Sequence, residues 1–81
     1  MRRKKTAKVF KYTAIFEPDL KLGGYTVIIP ALPGCISEGD SFEEALANIK
    51  EAAQLILEDL KKSEIPTENR PIIVSPIDVM V

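Results

Sequence analysis

Eighty-one residues, 46 % of them hydrophobic, hold one small domain, and a single cysteine without any histidine excludes both an internal disulfide and a Cys/His zinc site. No apolar run approaches the roughly 20 residues of a membrane-spanning helix, and no signal-peptide apolar core follows the basic start, so the chain is expected to be soluble and cytoplasmic. The net charge of −1 divides sharply: residues 1–11 carry six basic side chains and no acid, whereas residues 12–81 carry five basic and twelve acidic ones, which makes +6 against −7. An acidic body repels nucleic acid and steers toward basic partners.

Residues 1–8 read as a basic flexible leader, in which Arg2, Arg3, Lys4 and Lys5 are candidates for phosphate contact, and residues 9–81 read as the folded domain. Val9 to Glu17 alternates with period two: Phe10, Tyr12, Ala14 and Phe16 on one side, Val9, Lys11, Thr13, Ile15 and Glu17 on the other. That pattern predicts a strand. Pro18-Asp19 ends it, and Gly23-Gly24 closes a loop into a second strand, with Tyr25, Val27 and Ile29 on one face and Thr26 and Ile28 on the other. Pro30 and Pro33 fix φ and remove donors, while Gly34 and Gly39 are expected to supply positive φ around a short third strand, Cys35 to Glu38.

Ser41 followed by Glu44 is a capping box, and a helix is predicted from Phe42 to Lys62. Phe42, Leu46, Ile49, Ala53, Ile56 and Leu60 recur at spacings of four and three and draw its apolar stripe, with Leu55 and Leu57 on the flanks. Glu43 and Glu44 at its start and Lys61 and Lys62 at its end suit the helix dipole. Pro66 bars continuation, Ser63 to Arg70 is a polar connector, and Ile72-Ile73-Val74 begins a fourth strand that Pro76 confines to a sheet edge. The order β-β-β-α-β is an α+β unit. A right-handed crossover places strand four beside strand one, giving a four-stranded sheet of order 3-2-1-4 with one helix on one face. Phe10, Tyr12, Ala14, Phe16, Tyr25, Val27 and Ile29 are then the core face. The opposite face has no internal cover and is a half-polar surface or a docking face.

Catalytic groups do not assemble in this reading. Glu17/Asp19, Glu38/Asp40 and Glu43/Glu44 pair as a metal or acid–base site would, but turns, caps and a helix first turn account for them. Cys35 has no histidine to activate it and is assigned to the core. Gly23-Gly24 precedes a strand rather than a helix, unlike a phosphate-binding loop. Tyr12 and Tyr25 are assigned to packing rather than base stacking. No catalytic residue, metal ligand or cofactor is expected.

The run Gly24-Tyr25-Thr26-Val27 through Pro33-Gly34-Cys35 to Glu38-Gly39-Asp40-Ser41, then Glu43-Glu44-Ala45 and Asn48-Ile49, resembles the signature of HicB-like antitoxins, and the similarity extends from about Tyr12 to Leu60. The resemblance implies a shortened, degenerate ribonuclease-H-like β-β-β-α-β fold without its acidic active site. It implies binding to a HicA-type toxin, a small basic ribonuclease of double-stranded-RNA-binding-domain shape that cleaves messenger RNA through a histidine. It further implies dimers or higher oligomers. Many family members append a DNA-binding domain for autorepression; only Ser63 to Val81 follows the helix here, so direct DNA binding is not expected.

The resulting expectation is a non-catalytic antitoxin that masks a basic toxin with exposed acids drawn from Glu38, Asp40, Glu43, Glu44, Glu51, Glu58 and Asp59. The alternatives are a stand-alone oligomeric regulator that binds a ligand or nucleic acid, and a metal-dependent nuclease using Glu17, Asp19 or Asp78.

Overall fold

The computed structural model describes residues 9–67 and 72–81. The chain runs β1 (Ile15–Pro18), β2 (Tyr25–Ile28), β3 (Ile36–Gly39), α1 (Phe42–Asp59) and a 3-10 turn at Lys62–Glu64. The strands form one antiparallel sheet in the order β1-β2-β3, with α1 against one face. The class is α+β. The leader with Arg2, Arg3, Lys4 and Lys5 lies outside the described residues.

Register sorts the side chains as the alternation requires. Ile15, Ile28 and Ile36 stand opposite one another across the sheet, as do Glu17, Thr26 and Glu38 in the next row of the same face. The other face carries Val27, which is fully buried, with Ile29 buried and Phe16 and Tyr25 packed at its margin. Helix α1 closes that side with Ala45, Ile49 and Ala53.

The loop between β2 and β3 folds inward to complete this core. Ile29 N–H donates to Cys35 O, Leu32 N–H to Ile29 O and Cys35 N–H to Leu32 O, each at 3.0 Å. These bonds tuck Leu32 and Cys35 under the helix, both nearly inaccessible, while Pro30, Pro33 and Gly34 remain outside. Gly34 takes φ of +82°, as its position after proline predicts.

Gly39 corrects the sequence expectation. Among the described glycines, positive φ belongs to Gly23, Gly24 and Gly34, not to Gly39. What position 39 requires is space: a Cβ there would lie 2.3 Å from Ala45 N and 2.7 Å from Ala45 Cα. The first turn of α1 therefore rests almost directly on the end of β3. That approach explains a second correction, to the buried stripe. Small Ala45 takes the deepest place near the helix start, whereas Phe42 and Leu46 flank the contact, and Leu57 packs on the core where Leu60 was expected.

Three element boundaries also move. β1 covers Ile15–Pro18 rather than Val9 to Glu17, because its partner β2 ends at Ile28, opposite Ile15, and Pro30 turns the chain away. The third strand is shifted by one, to Ile36–Gly39, since Cys35 is occupied by the loop. Helix α1 stops at Asp59, where Leu60 adopts an extended conformation with its N–H on Leu57 O, so Lys61 and Lys62 lie beyond the last turn. Finally, Ile72–Val81 pairs with no strand among the described residues. The fourth strand read at 72–74 is not formed within this chain's described sheet.

Candidate partner-binding site

The turn from β1 to β2 is built by one side chain. Asp19 Oδ1 accepts from Lys21 N–H and Leu22 N–H, both at 3.0 Å, while Asp19 N–H donates to Gly24 O and Gly23 N–H to Asp19 O, both at 2.9 Å. This Asx-type turn needs Gly23 and Gly24 at φ of +81° and +82° to bring the chain back. The two amide donors hold the Asp19 carboxyl below the usual aspartate range. Leu20 and Leu22 are left at the hairpin tip, 92 % and 89 % exposed.

Across from this tip, the β3–α1 junction is fixed by its own caps. Ser41 Oγ accepts from Glu44 N–H at 3.0 Å, and Glu44 Oε1 accepts from Asp40 N–H, one residue earlier than the reciprocal bond of a standard capping box. Asn48 Nδ2 donates to Glu38 O at 2.7 Å and ties α1 to β3. Gly24 seats the hairpin tightly on this junction, since a Cβ there would come within 2.6 Å of Gly39 O.

These two loops enclose a polar groove of about 400 Å³ whose walls include Asp19, Leu22, Glu38, Asp40, Glu44 and Asn48. Four acidic residues from three separate chain segments thus line one concavity beside an exposed leucine, and the carboxylates of two of them, Asp19 and Glu44, also accept from backbone amides of their own turns. At the start of α1, Phe42 packs its ring on Phe16 at 4.6 Å between centroids and edge-on to Tyr25 at 6.3 Å, and of these three rings Tyr25 borders the groove.

The sequence-nominated acids separate into two sets. Glu38, Asp40 and Glu44 share the groove; Glu43 stands exposed in the first turn of α1, Glu51 is exposed along the helix, and Glu58 and Asp59 are exposed in its last turn. Glu58 accepts from Gln54 Nε2 at 3.3 Å and borders a different depression. Leu22 and Asp19 were not among the acids and partner-binding residues nominated from sequence, where Asp19 was weighed only as a turn residue or metal ligand. The available signal was a pair of leucines inside an otherwise polar turn, where apolar residues have no packing reason to be.

Among the described residues there is no group of three or more His, Cys, Asp or Glu side chains placed to hold a metal ion, and Glu17, Asp19 and Asp78 form no such group. Cys35 is buried, and desolvation pushes its thiol up, away from the reactive thiolate. Among the described residues no helix is long and apolar enough to cross a membrane.

Residues 12–79 match the family of HicB-like antitoxins of bacterial toxin–antitoxin systems. The chain belongs to the HicB-like antitoxin family. Its relatives include a UPF0150 protein of Synechocystis sp., 40 % identical over 74 residues that cover 91 % of this chain and 92 % of that protein. A UPF0150 protein of Helicobacter pylori is 42 % identical over 82 % of this chain and 90 % of its own length. Another, from Thermoplasma acidophilum, is 49 % identical over 73 % and 87 % respectively. No solved structure matches the chain. As a HicB-like antitoxin, it is a member of a family whose role is to neutralise a toxin.

Proposed function

We propose that this HicB-like protein is a non-catalytic cytoplasmic antitoxin that masks a small basic HicA-type toxin with the groove between the β1–β2 hairpin and the β3–α1 junction. The observation that carries the reading is the convergence of Asp19, Glu38, Asp40 and Glu44 on one concavity beside exposed Leu22. A desolvated apolar anchor ringed by charges of one sign is the arrangement that gives a protein interface both affinity and steering. Glu43, Glu51, Glu58 and Asp59 extend the negative potential along α1 and speed encounter without lying in the groove. The complete domain, in this reading, is a homo-oligomer whose sheet has the ribonuclease-H-like order 3-2-1-4.

The test is titration of the purified protein with its cognate toxin. Glu38→Lys, on an exposed strand position, is expected to weaken binding at least tenfold, about 1.4 kcal/mol. Leu22→Ala is expected to weaken it comparably, and Glu51→Lys far less. Equal effects from all three would reject the groove as the contact.

A further inference from the structure

The segment Ile72–Val81 is an extended apolar arm that pairs with no strand among the described residues. Ile73, Ile77 and Val79 are 85 %, 80 % and 73 % exposed, and Val74, Met80 and Val81 are exposed as well. In an extended strand Ile73, Ile77, Val79 and Val81 fall on one face with Ser75, and Ile72, Val74, Pro76, Asp78 and Met80 on the other, so the first face is the one without a charge. The arm lies inside the family match, which runs to residue 79. Exposing such a face costs about 1.5–3 kcal/mol per large side chain relative to burial, so a surface that receives it is expected.

The same molecule carries an unfilled receiver. An open groove of about 720 Å³ runs between the stretch Phe10–Ala14 and α1, walled by Phe10, Ala14, Ile29, Leu46, Ile49 and Leu57. It lies beside β1, whose neighbour in the described sheet is β2 alone. Lys11 and Lys50 also border it, opposite in sign to Asp78, together with one acid, Glu58. Tyr12, another groove residue, donates from its hydroxyl to Pro66 O at 2.6 Å, so the chain leaves the body at the groove's wall. Arm and receiver are thus both present and both empty in one copy.

We infer that the fourth strand is exchanged: Ile72–Val81 of one copy adds beside β1 of a second copy and lays Ile73, Ile77, Val79 and Val81 into the second copy's groove, with the reciprocal arm returned around a two-fold axis. This rests on the homo-oligomer of the preceding reading and names its interface. A two-fold exchange satisfies both unpaired surfaces at once, and Pro76 is tolerated because the added strand is an edge. Ten arm residues and twelve groove-lining residues per copy lie within the roughly 20–30 a side of a stable interface.

The test uses the full chain, in sedimentation equilibrium and in a mixed cross-linking experiment. Wild type is expected to sediment as a dimer, and the double substitution Ile77→Asp with Val79→Asp as a monomer that keeps its helical circular dichroism. Chains bearing Val79→Cys and chains bearing Gln54→Cys, differently tagged and mixed, are expected to form a disulfide between the two tags. A dimer that persists in the double variant would overturn the exchange while leaving an oligomer on another face, such as the Ile15–Ile28–Ile36 row. A monomeric wild type would overturn both. A disulfide confined within single chains carrying both cysteines, with none between tags, would place the arm in its own groove and reject exchange.

Discussion

Two glycines show how little a residue's type says about its duty. Gly34 and Gly39 stand five positions apart and look alike in the sequence, yet one is needed for its dihedral and the other for its missing Cβ. Gly34→Ala meets nothing within 4 Å and pays only the left-handed backbone cost, about 1–2 kcal/mol. Gly39→Ala drives a methyl into the backbone of Ala45, which cannot swing aside; overpacking of this kind costs about 3 kcal/mol and separates α1 from β3. Urea unfolding of the two variants should rank them in that order. The burial of Leu32 was equally illegible, because it follows from three loop hydrogen bonds rather than from any periodicity.

Asp19 makes a prediction with a defined sign. Its carboxyl is held down by the Leu22 and Lys21 amides, so the folded state favours the charged form. The resulting stabilisation is present above the ordinary aspartate range and is lost as pH falls through the lower, folded value. Asp19→Ala should therefore be less stable than wild type at neutral pH, with the gap closing on acidification. Asp19→Asn, which keeps the acceptor, should recover part of the turn. Carbon-detected NMR titration of the Asp19 carboxyl should give a midpoint below that of an unstructured aspartate.

At the scale of elements, α1 was the most legible feature, since apolar recurrence, the Ser41 cap and the first-turn acids Glu43 and Glu44 all agree. Ser41→Ala should cost about 1 kcal/mol by orphaning the Glu44 amide. Ile49→Ala, at the centre of the buried stripe, should cost about 2–5 kcal/mol. Thermal denaturation of both would separate cap from core. The end of the helix was misplaced because Lys61 and Lys62 suited the dipole, whereas the helix stops at Asp59 without a basic residue in its last turn. Strands were legible in their facing and not in their extent. Alternation assigns Tyr12, Ala14 and Phe16 to the core side correctly, but pairing depends on how far the neighbour runs, and β2 runs only to Ile28.

For the whole molecule, the acid groove is a product of tertiary structure: Asp19 comes from the first turn, Glu38 from β3, and Asp40 and Glu44 from the helix entry. The sequence reading named three of these four among seven exposed acids, with nothing local to separate them from Glu51, Glu58 or Asp59. In the proposed function, recognition by such a surface is electrostatic in its approach and apolar in its anchor, at exposed Leu22.

The central claim is that this antitoxin works by charge-steered occlusion, and the dependence of toxin affinity on salt tests it most directly. Dissociation constants measured from low ionic strength to about 0.5 M salt should rise steeply for wild type, because rim charges are screened within a Debye length of about 10 Å at 0.1 M. The slope should flatten in a Glu38→Gln, Asp40→Asn variant, with the affinities converging at high salt. Binding that is insensitive to salt, or a slope unchanged in the variant, would contradict the account.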